Sequence, residues 1–476
     1  MAHESTASSE RIAGSFRDPS GYVFKRNGTI FRAIDSDCQR LMVELRNGGW
    51  LRQLLEKKLI VGTQFVEDAN LRSELAREHP GYENFLRHEL IAPISYPYEW
   101  SVSMLADAAI HTLDLQLKLL EAGVSLKDAT AYNIQFVNGR PTFIDISSFE
   151  RPARLDVWFA LGQFAQMFTF PLLLFRHHGW DFRSYFLGNI NGRDVEQVAR
   201  SFGPLERWLP RALFDVTLPA IFQRKANAQT GDGRATLEKP NKNSSAQVMN
   251  LQRLRGKLRK LATTYKPRGV WSDYTSTCSY DSEAEKAKKL LVKEFLELAK
   301  PSRVLDMGCN TGDYSFLATE TGASVIAADG DQSAIEILYR RLQARPAAIS
   351  PMVIDLSTPS PAIGHRNLER PSFFERLDVD CVLALALIHH LHVSGNLSIP
   401  AIRDLFFDMT RDYLVLEFVP TDDVMFKKLL QFRANLFGSL TLDSCRKVLA
   451  EKFDVVREAP IPGSPRTLWL LRKKRK

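Results

Sequence analysis

From residue 283 onward, apolar positions switch between helical and strand-like spacing. Over 283–299 they recur at helical intervals, with Ala287, Leu291, Phe295 and Leu298 on one face. Short apolar runs follow at 303–307, 324–328, 351–354, 379–385 and 413–418. Helical stretches separate the first of them, one from Tyr314 and one over 332–343. Runs at 453–458 and 467–471 predict a closing hairpin. Nearly continuous apolar strands are buried on both faces, so the alternation predicts an α/β fold built on a doubly wound, mostly parallel seven-stranded sheet.

The first 222 residues carry a less regular pattern. Leu113, Leu117 and Leu120 share a helix face that ends near Gly123, and Asn138-Gly139 between NIQFV and PTFIDI is a hairpin signal. An N-terminal α+β domain over 1–222 is expected. Residues 227–245 hold almost no large apolar side chain and cannot offset their own ordering entropy. They predict a basic polar linker over 223–268, with a short basic helix around 251–261, ahead of a C-terminal domain over 269–476. No internal repeat is apparent.

Composition changes this picture little. Of 476 residues, 45% are hydrophobic and 25% charged, which excludes wholesale disorder, a collagen-like fibre and a disulfide miniprotein. The longest apolar stretches, 170–175 and 382–388, fall far short of the roughly 20 residues a membrane span needs. No charged start followed by an apolar run opens the chain, so neither a secretory signal nor a membrane is expected. The five cysteines lie scattered without C-x-x-C spacing, which fits a cytoplasmic protein without a metal site. The net charge of +8 is local: residues 224–268 hold 12 basic and 2 acidic side chains, and 472–476 are all basic. Those segments read either as a solvated linker and tail or as nucleic-acid contacts.

The most informative string is VLDMGCNTGDYS, 304–315. A strand runs into Asp306, then Gly308 and Gly312, then a helix. Glycines serve where the chain turns sharply and where backbone must approach a ligand. In a parallel sheet, this first strand-to-helix turn is where nucleotide-like ligands lie. The dinucleotide pattern G-x-G-x-x-G would need glycines at Asn310 and Asp313, and no G-x-x-x-x-G-K-[ST] occurs. The acid before the first glycine would repel a polyphosphate. The second strand ends at Asp329, with Asp331 two residues later, and Asp329 is placed to accept from two ribose hydroxyls. The third ends at Asp355, where a carboxylate could accept from an adenine amino group.

These residues resemble the first motifs of the class I S-adenosylmethionine-dependent methyltransferases, over about 302–472; DMGCNTG is similar to the D-x-G-C-N-T-G variant. The resemblance implies a Rossmann-like sheet that binds S-adenosyl-L-methionine. Gly308, Asn310 and Gly312 would shape the turn around its methionine part, and Asp306 would approach the amino group. Asp329 would hold the ribose, while Asp355 and Leu356 would border the adenine. The loop after the fourth strand, LALALIHHLHVSGN, then faces the acceptor. His389, His390 and His392 are candidate bases there, and Glu417 at the end of the fifth strand is a further acceptor-side candidate. No [ND]-P-P-[YFW] and no Pro-Cys follow the fourth strand, which removes support for adenine N6, glutamine and cytosine C5 methylation. The expected acceptor is an unidentified small molecule, glycan or protein rather than a nucleic acid.

In the N-terminal half, Asp128, Asn133 and Asp145 are spaced around the hairpin in a way that resembles the catalytic loop of kinase-like folds. There the residues at these positions serve as base and metal ligands. The sequence departs from that pattern. It has no glycine-rich phosphate loop, Leu126-Lys127 precedes Asp128, and Arg32 in GTIFRAI stands in a strand-like context without the lysine signature. FRDPSGYVF, SYPYEWS and SLKDATAYN, followed by the two C-terminal motifs, occur in this order in the NoeA family of rhizobial host-specific nodulation proteins, which the whole chain resembles. That resemblance implies a methyltransferase contributing to host-specific nodulation in a symbiotic bacterium. Two alternatives stand beside it: a non-catalytic scaffold of two degenerate halves, and an RNA methyltransferase using the basic linker and tail.

Overall fold

The computed structural model describes residues 9–221, 239–267, 282–423, 426–427 and 440–475. Residues 223–238 and 268 of the expected linker lie outside these.

The chain opens with β1 (Glu10–Arg11), β2 (Gly21–Arg26), β3 (Thr29–Ile34), β4 (Thr63–Phe65) and β5 (Asn84–His88), an antiparallel sheet in the order β1-β2-β3-β5-β4. The helix Ser36–Asn47 lies between β3 and β4 in sequence; Asp35 caps it by accepting from the Cys38 N–H. A 20-residue helix, Val102–Glu121, follows and is buried over most of its circumference. Its polar Ser103, Thr112 and Gln116 are buried with the leucines because neighbours cover it on more than one side. Two short ribbons complete this half: β6 (Ser125–Leu126), β7 (Ile134–Val137), β8 (Arg140–Phe143) and β9 (Phe149–Glu150), with β6 paired to β9 and β7 to β8. The expected Asn138-Gly139 turn forms, both residues at positive φ (50° and 75°) as a tight hairpin demands.

The basic helix expected near 251–261 spans Ser245–Thr264 and buries Leu251, Leu254, Leu258 and Leu261. Its cations are engaged with acids of the N-terminal half: Arg255 pairs with Asp114 at 2.7 Å, and Arg253 and Lys257 both reach Asp215.

The C-terminal half is the predicted doubly wound sheet. Its strands are β10 (Arg303–Met307), β11 (Ser324–Asp329), β12 (Ile349–Val353), β13 (Cys381–Ala384), β14 (Tyr413–Phe418), β15 (Phe453–Pro460) and β16 (Thr467–Lys473), in the order β12-β11-β10-β13-β14-β16-β15. The first five run parallel, and β16 is antiparallel to both neighbours. The strand order reverses at β10, whose neighbours are β11 and β13. A crevice therefore opens at the carboxyl edge beside the turn that leaves β10.

Two sequence expectations are corrected here. The buried stripe of the helix Ser282–Ala299 runs through Ala284, Lys288, Val292, Phe295 and Leu296, whereas Leu298 is 54% exposed. The expected face, Ala287, Leu291, Phe295 and Leu298, left out Lys288, which is buried within the stripe. The basic tail is also partly sheet: Arg472 and Lys473 belong to β16, and Lys473 Nζ donates to the carbonyls of Phe407 and Thr410 at 2.6 and 2.7 Å. One continuous apolar core runs through both halves, from Leu105 and Leu113 to Ile335, Leu338 and Tyr339.

Candidate cofactor and acceptor site

The turn after β10 is built around two glycines. Gly312 has φ +87°, and a Cβ there would lie 2.4 Å from Leu338 Cδ1, so only glycine fits. Gly308 has φ +69° and passes close to Leu387. The N–H groups of Gly308 and Cys309 both donate to Ala328 O, at 2.8 and 3.2 Å, which stitches the turn to the end of β11. Asp306, on β10 ahead of the turn, is buried and accepts from Ser315 Oγ at 2.6 Å. Burial pushes its carboxyl up to about 7; the Ser315 hydrogen bond opposes this and the charge of Asp329 adds to it.

Asp329 ends β11. Its Oδ2 accepts from Asn310 N–H and its Oδ1 from Asp331 N–H, both at 2.8 Å. Burial raises its carboxyl and the two backbone donors hold it back. Asp331 caps the helix Gln332–Ala344 through the Ser333 N–H. Beyond β12, Asp355 accepts from Ser357 N and Oγ and from Thr358 Oγ1. Burial pulls Asp355 upward, but these donors and the Arg183 guanidinium outweigh it and hold it below its ordinary value.

A cavity of about 490 Å³ joins these groups. Asp306, Gly308, Asn310, Asp329, Asp355 and Leu356 all line it, so six of the seven expected binding residues come together there, with Gly312 packed behind the turn. Asn310 Oδ1 and Asp331 Oδ2 are buried along this lining with no hydrogen-bond partner among the described residues. Two unsatisfied acceptors beside a doubly held carboxylate fit a ligand that brings hydroxyl donors.

The same cavity carries an ion-pair chain. Glu417 on β14, 0% exposed, pairs with Lys288 Nζ at 2.6 Å and with Arg466 Nη1 at 3.2 Å. Arg466, 2% exposed, also grips Asp423 through Nε and Nη2 at 2.8 and 3.2 Å. Lys288 and Arg466 line the cavity, while Glu417 and Asp423 lie outside its lining. Of the three histidines, His390 lines it; burial and then the Arg466 guanidinium push its imidazole down to about 4. His389 is buried outside the lining, its ring 5.5 Å from Phe426, and burial lowers it well below the ordinary range. His392 Nδ1 lies 2.7 Å from Leu397 O. Sequence reasoning missed Lys288, Arg466 and Asp423. The only available signal was a charged residue set into or beside apolar runs.

The kinase-like residues gather elsewhere, outside this cavity. Arg32 on β3 reaches Asp145 Oδ1 at 2.8 Å and donates to Ser147 Oγ at 2.6 Å. Asn133 Nδ2 donates to the other Asp145 oxygen at 3.3 Å, and Lys127 pairs with Asp18. Asp128 is raised by burial and then by Asp145. Among the described residues no group of three or more His, Cys, Asp or Glu side chains is arranged to hold a metal ion.

Nodulation protein NoeA of Rhizobium meliloti (strain 1021) is 33% identical to this chain over 474 residues, spanning 96% of the chain and 95% of that protein. No protein-family model matches. Among solved structures, the N-methyltransferase NodS from Bradyrhizobium japonicum WM9 superposes with a TM-score of 0.31 at 15% identity, over 41% of this chain and 99% of its own. The bifunctional kinase-methyltransferase WbdD gives 0.29 at 16%, over 45% of each chain.

Proposed function

The chain belongs to the NoeA family of nodulation proteins, and from that membership and the cavity's chemistry we propose that its C-terminal half is an S-adenosylmethionine-dependent methyltransferase acting on a nodulation-related acceptor. The observation that carries this reading is Asp329. Its two oxygens are fixed by the N–H groups of Asn310 and Asp331 at 2.8 Å, which leaves its remaining lone pairs for two adjacent hydroxyls.

When bound, S-adenosylmethionine supplies a methyl group activated by the sulfonium. The protein's own residues do the rest. Gly308, Asn310 and the Gly312 turn hold the methionine part, and Asp306 accepts from its amino group. Asp329 holds the ribose, and Asp355 and Leu356 border the adenine. Lys288 and Arg466, on the cavity wall, orient the acceptor, and Glu417 and Asp423, outside the lining, hold those two cations. His390, neutral at pH 7, takes the acceptor's proton or aligns its lone pair, with His389 as its packing support. Alignment of donor and acceptor is the main source of rate in such a displacement. The acceptor is a small molecule, a glycan or a protein side chain.

Transfer of label from methyl-labelled S-adenosylmethionine into a cell extract tests the reading. Wild type should label one class of acceptor, and Gly308→Arg, which fills the turn, should label none. A folded wild-type chain that neither binds S-adenosylmethionine nor transfers label overturns it.

A further inference from the structure

The helix Gln332–Ala344 begins three residues after Asp329, and both halves of the chain hold it. Toward the glycine turn, Arg341 Nη1 donates to Thr311 O at 2.6 Å and to Asp313 Oδ1 at 2.7 Å. Leu338 occupies the space that a Gly312 side chain would need. Arg340 pairs with Glu336 at 2.7 Å and donates to Tyr265 O at 2.9 Å, and further grips come from the N-terminal half. Glu336, 0% exposed, accepts from Ser103 N at 2.9 Å and from Ser103 Oγ at 2.5 Å. Ser103 lies in the first turn of the helix Val102–Glu121, where backbone N–H groups have no partner within their own helix. A fully buried carboxylate demands such donors. One turn further along each helix, Tyr339 Oη donates to Asp107 Oδ2 at 2.8 Å. Its ring meets Phe136 edge-on at 5.9 Å, and Gln343 donates to Gly139 O at 2.7 Å.

The first residue of that helical unit, Asp331, donates its N–H to Asp329 Oδ1. Any shift of the helix along or around its axis therefore moves a donor that aims the Asp329 carboxylate. Beside Asp355, Arg183 of the N-terminal half donates to the carbonyl of Thr358, whose hydroxyl holds Asp355.

We propose that the N-terminal half is a working part of the cofactor site: Ser103 and Asp107 are positioning residues that, through Glu336 and Tyr339, set Asp329 for the ribose. This rests on the reading that Asp329 binds the ribose of S-adenosylmethionine. The two acids that face the adenosine are each steadied from the other half of the chain, so cofactor affinity depends on the junction between halves.

The test uses the full chain and S-adenosylhomocysteine as the calorimetric probe. The double variant Ser103→Ala/Tyr339→Phe removes the Ser103 hydroxyl–Glu336 and Tyr339 hydroxyl–Asp107 hydrogen bonds and nearly keeps the core volume. Its Kd should rise about fivefold or more, the scale of a modest coupling between sites, and Ser103→Thr with Tyr339 intact should restore wild-type affinity. In an Asp329→Asn background the same pair should change Kd little, because the group it positions has already lost its charge. An unchanged Kd, or an equal loss in both backgrounds, overturns the proposal. By reciprocity, the ligand should slow amide exchange at 103–107 in the wild type; no change there also counts against it. A wild-type chain that binds no ligand is a different result and defeats the methyltransferase reading itself.

Discussion

Arg32 Nη1 lies 2.8 Å from Asp145 Oδ1, so the carboxylate that a kinase-like pattern would leave to a metal ion carries an arginine instead. Asn133 and Ser147 donate to Asp145 as well. A divalent ion would have to displace three N–H or O–H partners from one carboxylate. Magnesium-ATP at millimolar concentration should therefore leave the unfolding midpoint of the full chain unchanged. A clear upward shift, the sign of the roughly 2.7 kcal/mol that a hundredfold excess over Kd supplies, would contradict this.

Asp306 gives a pH prediction whose sign follows from its burial. The carboxyl titrates near 3.8 when unperturbed and at about 7 in the fold. Between those values the folded state binds the extra proton, so this group's contribution to stability falls as pH rises from about 4 to about 7, by something on the order of 4 kcal/mol. A ligand ammonium requires the ionised form. Binding of S-adenosylmethionine should then release a proton below pH 7, with affinity rising with pH and levelling above it. Calorimetry in two buffers of different ionisation enthalpy measures the release, and Asp306→Asn should abolish it.

The Glu417 carboxylate sits between two buried cations, Lys288 and Arg466. Glu417→Gln takes the shared carboxylate from Lys288, leaves Arg466 paired with Asp423, and should cost about 3–5 kcal/mol, as breaking one partner of a buried network does. Urea denaturation of the two chains side by side reads this directly. A difference under about 1 kcal/mol would show that the chain of charges is solvated in solution.

His389 and His390 are neighbours in sequence, with ring centroids 4.2 Å apart, yet only His390 lines the cavity. His390→Ala should lower kcat by about 10²-fold or more, the usual weight of a proton-transfer group, with little change in cofactor Kd. His389→Ala should instead lower stability through lost packing against Phe426. Equal effects of both variants on kcat alone would contradict this division.

The carboxyl edge of the sheet was largely legible in the sequence. Asp306, Gly308, Asp329 and Asp355 declare themselves because strand ends and tight turns constrain residue type locally. The charge chain was not, because Lys288, Glu417, Arg466 and Asp423 meet only through tertiary structure. Lys288 further disguised itself by taking an apolar position in its helix, which rotated the predicted stripe toward the exposed Leu298. The N-terminal sheet escaped for a related reason. Its strands are short, β2 and β3 are six residues each and β4 only three, and alternation over so few positions does not separate strand from turn. The basic segment misled through composition: its leucines recur at helical spacing and bury against the N-terminal half, while its cations find Asp114 and Asp215.

The most direct test of the whole account is a calorimetric titration of the full chain with S-adenosylmethionine, run beside Asp329→Ala. The wild type should bind at a single site, and the variant should lose about 1.5–3 kcal/mol, the worth of a charge-assisted hydrogen bond. No heat of binding from a wild type shown to be folded, or equal affinity in the two proteins, would contradict it.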